Sequence, residues 1–293
     1  MNVKSVLKVA RANFLLLPLA LVAVGASAAF REGRFFWDAT LLALVGLVAL
    51  HVAVNAFNEA SDFRTGIDLL TRRTPFSGGS GALPAGEATP GLALSLAWGG
   101  FLMGCGVGVY FFSRVGWPLV PIAVLGAVAV LFYTPYLTRL GVGELFAGLG
   151  LGFLPVLGVS LVQGGTPGPT SFWAAVPAAF MTFNLLLLNE FPDEEADRRG
   201  GRRHLVILLG RKRASRVYAL AVVAVPATVA LGVALRALPP AALVAVLPTA
   251  LCAPGLRWAF TNPEADPPFP ALGGNVAWNL LTNLVLAATL VWG

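Results

Sequence analysis

Two short stretches of this 293-residue chain hold eight of its 14 acidic residues. Asn58-Glu59-Ala60-Ser61-Asp62 is followed by Asp68, and Asn189-Glu190-Phe191-Pro192-Asp193 is followed by Glu194, Glu195 and Asp197. The pattern Asn-Glu-x-x-Asp therefore recurs 131 residues later, from 58 to 189. Residues four apart share a helix face, so Asn58 projects with Asp62, Asn189 with Asp193, and Asp193 with Asp197. Carboxylates gathered near low-dielectric surroundings repel one another, and a divalent cation removes that conflict. Oxygen ligands without Cys or His point to magnesium or calcium rather than zinc. Magnesium commonly combines one or two carboxylates with substrate phosphates, which suits two sparse clusters facing each other across a cavity. Arginines follow both clusters: Arg64, Arg72 and Arg73 after the first, Arg198, Arg202 and Arg203 after the second. Their forked guanidinium groups match phosphate oxygens. Acids, a hard cation and arginines together can hold a diphosphate and stabilise it as it leaves. The same arginines can instead meet lipid headgroups.

Other residues stand at the same end of their elements. Tyr133-Thr134-Pro135-Tyr136-Leu137-Thr138-Arg139 closes an apolar stretch. Its tyrosines can anchor a membrane interface or stabilise a developing carbocation from a cavity wall, and Arg139 can meet a phosphate. His51 lies about two helical turns before Asn58, where it is either a site residue or a hydrogen-bonded structural one. His204 is expected in a loop. The stretch from Thr74 to Gly81 reads as a flexible lid more than as an anion-binding nest. It has no Gly-Lys-Ser or Gly-Lys-Thr, which excludes a Walker-type nucleotide loop.

The elements that position these residues follow from composition. The chain is 57% hydrophobic and only 12% charged, with a mean hydropathy of +0.78. Such a chain lacks the charge of a water-facing surface, and its apolar runs are long enough to cross a bilayer. We expect an all-α, polytopic membrane bundle of about nine helices, near 13–30, 38–59, 91–112, 117–134, 142–163, 171–190, 215–236, 241–260 and 275–292, forming one domain over 1–293. The segments 60–90, 135–141 and 191–214 are expected to be loops capping one face. With the N-terminus cytoplasmic, sixteen of the 20 Lys and Arg residues fall on that face, leaving only Arg31, Arg34, Arg114 and Arg236 outside. The net charge of +6 thus reports topology and an anionic substrate rather than nucleic acid. Ala26-Ser27-Ala28 resembles a signal-peptidase site, but the first span is expected to remain as a helix. Cys105 and Cys252 sit in apolar runs and form no metal or disulfide pattern.

The stretch Asn58-Glu59-Ala60-Ser61-Asp62-Phe63-Arg64-Thr65-Gly66-Ile67-Asp68 resembles the first aspartate-rich motif of the UbiA superfamily of intramembrane prenyltransferases. Asn189 to Asp197, continuing through Arg198, Gly200, Arg202 and Leu205 to Gly210, resembles the second. Tyr133 through Gly141-Val142-Gly143-Glu144 is similar to the segment between that family's fourth and fifth spans. The resemblance implies an enzyme that moves a polyprenyl group from a magnesium-bound polyprenyl diphosphate to a small aromatic acceptor; with the Lys and Arg bias, it is expected in the cytoplasmic membrane with its site facing the cytoplasm. By position, Asn58, Asp62, Asp68, Asp193 and Asp197 would hold Mg2+, and Arg64, Arg72, Arg139, Arg202 and Asn189 would serve the diphosphate. Asn58, Asp62, Asp193, Tyr133 and Arg139 would form the catalytic set. The ten-residue step from Asn58 to Asp68 is similar to the menaquinone branch, whose acceptor is 1,4-dihydroxy-2-naphthoate. Glu59 stands where many members carry Asp, and no Lys precedes Arg139, which argues against 4-hydroxybenzoate. The remaining alternatives are another acceptor (4-hydroxybenzoate, homogentisate or a lipid alcohol) and a transporter of an anionic solute.

Overall fold

The structure, a computed structural model, describes residues 3–71, 73–74 and 76–293. All regular structure among them is helical. Among the described residues, eight helices are long and apolar enough to span a bilayer: α1 (Ala12–Arg31), α2 (Trp37–Thr65), α3 (Pro90–Val115), α5 (Gly143–Val162), α6 (Pro169–Arg199), α7 (Arg211–Ala234), α8 (Pro240–Thr261) and α9 (Phe269–Trp292). A ninth, α4, is a bent pair, Leu119–Leu131 continuing as Tyr133–Leu140 at 64°. Pro135 supplies no N–H at this bend, and Leu137 N reaches Phe132 O (3.0 Å) across a widened turn.

Two helices are longer than a bilayer crossing requires, and the site lies at their C-terminal ends. The 29 residues of α2 rise about 43 Å and the 31 of α6 about 46 Å. A hydrocarbon core of about 30 Å leaves several turns of each beyond it. Those turns carry the two acidic motifs. The expected sixth span, 171–190, is therefore only the inner part of a longer helix, and the start of the segment 191–214 is helix rather than loop. Ion pairs along one face, Glu194–Arg198 and Glu195–Arg199 (both 2.8 Å), support it past the apolar part. The α2 helix stops at Gly66, whose left-handed backbone (φ 79°) turns the chain into a short helix, Ile67–Leu70.

Small residues and amides hold the bundle. A Cβ on Gly152 of α5 would lie 2.5 Å from Ala178 O of α6, so this helix contact requires glycine. Asn184 Nδ2 of α6 donates to Tyr218 O of α7 (3.0 Å), and Asn275 Nδ2 of α9 donates to Asn184 O (3.0 Å). The α3 helix is peripheral, with few of its residues buried.

Candidate active site

The overshooting ends of α2 and α6 meet across one cavity. Asn58, Asp62 and Asp68 line it from one side, and Asn189, Glu190, Asp193 and Asp197 from the other. The four-residue spacings thus converge as the sequence predicts. Asp62, Asp68 and Asp197 are almost wholly buried.

One arginine ties the halves together. Arg202 contacts Asp62 and donates to Asp197 Oδ1 and Asn58 Oδ1 (both 2.9 Å). It reaches them because α6 ends at Arg199 and Gly200-Gly201 reverses the chain. Gly201 has φ 81°, and a Cβ on Gly200 would lie 2.2 Å from Ile67. Arg202 N then bonds back to Asp197 O (2.9 Å). Burial works against the Arg202 charge, but Asp62 and Asp197 outweigh it and hold the guanidinium pKa above its ordinary value.

A loop closes over the acids. Gly78 N donates to Asp193 Oδ2 (3.2 Å), and Gly79 (φ 71°) packs so closely that a Cβ there would lie 2.7 Å from Asp68 Oδ1. Ser80 donates to Glu59 through both N (2.7 Å) and Oγ (2.5 Å). Glu59, fully buried, also pairs with Arg11 at 2.7 Å. The Gly78 and Ser80 amides are therefore occupied by the protein's own carboxylates, and Glu59 serves as the anchor of this covering loop. Arg11, which the sequence assigns only to topology, lines the cavity.

The donor set fits a divalent cation. Asp68 Oδ2 and Asp193 Oδ1 are buried and find no hydrogen-bond partner among the described residues. Burial, then the neighbouring Asp62 and Glu59 charges, push the Asp68 carboxyl up to about 7 against the pull of Arg11 and Arg73. A hard cation between the two motifs would relieve these conditions.

A second polar group adjoins the first. Glu144, Glu190 and His204 bring ligand-type atoms within 4.8 Å of one another. Glu144 accepts from Leu205 N (2.6 Å), and His204 Nε2 lies 3.5 Å from Asp197 Oδ2. His204 is in a loop as expected, yet it is only 3% exposed and forms cavity wall. Its signal in the sequence was its position two residues after Arg202. Tyr133 also lines the cavity.

Two expected residues fall outside. Arg64 and Arg139 are exposed and do not line the cavity. Arg64 stands two residues after Asp62, about 200° around the helix, and so points away. Beside Arg139, it is Thr138 that turns inward. Arg72 lies outside the described residues. Arg211 pairs with Glu194 (3.0 Å) and Asp266 (2.8 Å).

The architecture is that of an integral membrane bundle with a paired acidic site at one end. A sequence model described as the UbiA prenyltransferase family matches residues 16–285. The chain belongs to that family. It is 31% identical over 183 residues to a 1,4-dihydroxy-2-naphthoate octaprenyltransferase of Bacillus subtilis, covering 59% of this chain and 56% of that enzyme. The match thus spans little more than half of the relative's length. An Escherichia coli protein of the same name is 28% identical over 216 residues, covering 69% of this chain and 68% of its own. A UbiA homologue from Aeropyrum pernix superposes with a TM-score of 0.72 at 19% identity, over 94% of this chain and 98% of that one. A UbiA homologue from Archaeoglobus fulgidus, solved with DMAPP and Mg2+, superposes with 0.66 at 14% identity, over 98% and 99%.

Proposed function

We propose that the protein transfers a polyprenyl group from an allylic polyprenyl diphosphate to an aromatic acceptor, with Mg2+ as cofactor and 1,4-dihydroxy-2-naphthoate as the acceptor. One observation carries this reading: both Asn-Glu-x-x-Asp motifs converge on a single cavity in which the buried oxygens Asp68 Oδ2 and Asp193 Oδ1 lack a hydrogen-bond partner among the described residues. The names of the two curated relatives support the acceptor, and the DMAPP and Mg2+ in the Archaeoglobus neighbour support the donor and the metal.

Asn58, Asp62, Asp68, Asp193 and Asp197 would hold the metal, which when bound neutralises the diphosphate as a leaving group. Arg202 keeps the two motifs in register and adds positive charge beside the phosphates, while Asn189 adds a polar amide. Below them the cavity turns apolar, with Val54, Leu151, Leu185 and Leu186 in its wall. That lining would take the prenyl chain and exclude water from the allylic cation. The Tyr133 ring is suited to stabilise that cation. The bias of Lys and Arg toward one end supports a cytoplasmic N-terminus and a site facing the cytoplasm from the inner membrane.

The test is transfer of labelled geranylgeranyl diphosphate to 1,4-dihydroxy-2-naphthoate, 4-hydroxybenzoate, homogentisate or a lipid alcohol, with Mg2+ or with chelator. A lipid product that requires Mg2+ and favours the naphthoate is expected. A product only from another acceptor would reassign the acceptor, and no product from any would defeat the transfer reading.

A further inference from the structure

The repeat that relates the two motifs continues deeper into the bundle. The same 131-residue step that takes Asn58 to Asn189 takes His51 to Thr182. Each stands seven residues before its Asn, two turns or about 10 Å along its helix. Both line the cavity, on α2 and α6, and they are only 4% and 3% exposed. Each also carries a polar atom with no hydrogen-bond partner among the described residues: His51 Nε2 and Thr182 Oγ1.

Their neighbours in the cavity wall include Leu17, Val54, Leu151 and Leu185. An unpaired nitrogen and an unpaired hydroxyl in such a wall are unfavourable unless a ligand completes them. The prenyl chain is hydrocarbon and can complete neither. The His51 ring is already fixed, because Nδ1 lies 3.0 Å from Leu47 O. A carbonyl only accepts, so Nδ1 carries the proton, and Nε2 of the neutral ring is a free lone pair.

We propose that His51 and Thr182 form a polar subsite for a hydroxyl-bearing edge of the aromatic acceptor, with the acceptor O–H donating to His51 Nε2 and Thr182 Oγ1 donating to an acceptor oxygen. This rests on the proposed transferase reading and names how its acceptor is held. The diphosphate occupies the level of Asn58 and Asp62, and the ring lies between that level and the two deeper residues, side by side with the first units of the prenyl chain in the same cavity. Such an arrangement selects acceptors by a hydroxyl far from the leaving group, because an analogue lacking it leaves both protein groups unpaired.

The experiment uses the full chain in detergent with Mg2+ and geranylgeranyl diphosphate. Equilibrium dialysis compares 1,4-dihydroxy-2-naphthoate with 1-hydroxy-2-naphthoate and 4-hydroxy-2-naphthoate, and turnover gives KM for donor and acceptor separately. The wild type is expected to prefer the dihydroxy compound over one monohydroxy analogue by about tenfold, as one hydrogen bond to a buried group implies. His51→Leu and Thr182→Val should each reduce that preference severalfold while leaving the donor KM unchanged, and His51→Gln, which keeps an acceptor atom, should restore part of it. Thr182→Val is nearly isosteric and carries the test if His51→Leu does not fold. An undiminished preference in the variants overturns the subsite. So does a rise confined to the donor KM, which would make the pair a lining of the prenyl path. A wild type that binds none of the three compounds overturns both readings, whereas binding without turnover defeats the transferase reading alone and leaves the preference measurable.

Discussion

Arg202 forms an ion pair with Asp62, 140 residues earlier in the chain, and so couples the second acidic motif to the first. The same guanidinium holds Asp197, which makes it the hinge pin between the ends of α2 and α6. Removing one partner of a buried pair typically costs ~3–5 kcal/mol, because the other charge stays behind. Arg202→Ala should therefore lower the thermal midpoint in chelator. Mg2+ should recover part of the loss, since the cation replaces the missing positive charge. A midpoint insensitive to the substitution would remove Arg202 from this role.

Asp68 gives the metal site a pH signature. Its carboxyl is raised from an ordinary 3.8 to about 7 in the folded protein. The folded state therefore holds a proton that the unfolded chain releases between those values. Its stabilising contribution is full below pH 3.8 and is lost as pH rises toward 7. Metal-free protein should be less stable at pH 8 than at pH 5.5 on this account. At pH 5.5 a metal must displace the proton, so Mg2+ should raise the thermal midpoint more at pH 8. Equal shifts at both values would contradict it.

Arg64 and Arg139 test which arginines serve the diphosphate. Both are exposed, away from the cavity. Arg64→Ala and Arg139→Ala should each leave the donor KM within about twofold, as exposed charges commonly do. A tenfold rise in either would mean that the residue reaches the substrate.

Glu59 should matter through the loop it anchors. Glu59→Gln leaves Arg11 without its buried anion and weakens the hold on Ser80. The loop over 76–81 should then become more open to proteolysis, and donor KM should rise. Wild-type cleavage rates in the variant would assign the loop's closure to other contacts.

Much of this site is visible in the sequence because it rests on local spacing. Asn58 with Asp62, and Asn189 with Asp193 and Asp197, share faces by helical period alone. The spans are equally visible as apolar runs. What escapes is set by chain reversal and by distant partners. Arg64 and Arg202 look alike beside their motifs, but only Arg202 is returned to the acids, by the turn at Gly200-Gly201. The partnership of Arg11 with Glu59 spans 48 residues and leaves no periodic trace. Glu144 and His204 meet Glu190 only because the bend after Phe132 and the loop after α6 fold over the same end. The continuation of α6 through the second motif is missed because its acids end the apolar run while Glu-Arg pairs sustain the helix.

On the proposed reading, the two motifs together hold a magnesium-bound prenyl diphosphate. Binding of labelled geranylgeranyl diphosphate to the full chain in detergent, with Mg2+ or EDTA, tests this for wild type, Asp62→Asn and Asp193→Asn. Wild type should bind only with Mg2+, and either variant should bind at least tenfold more weakly although each remains folded. Binding that survives EDTA, or that either variant retains at wild-type strength, would contradict it.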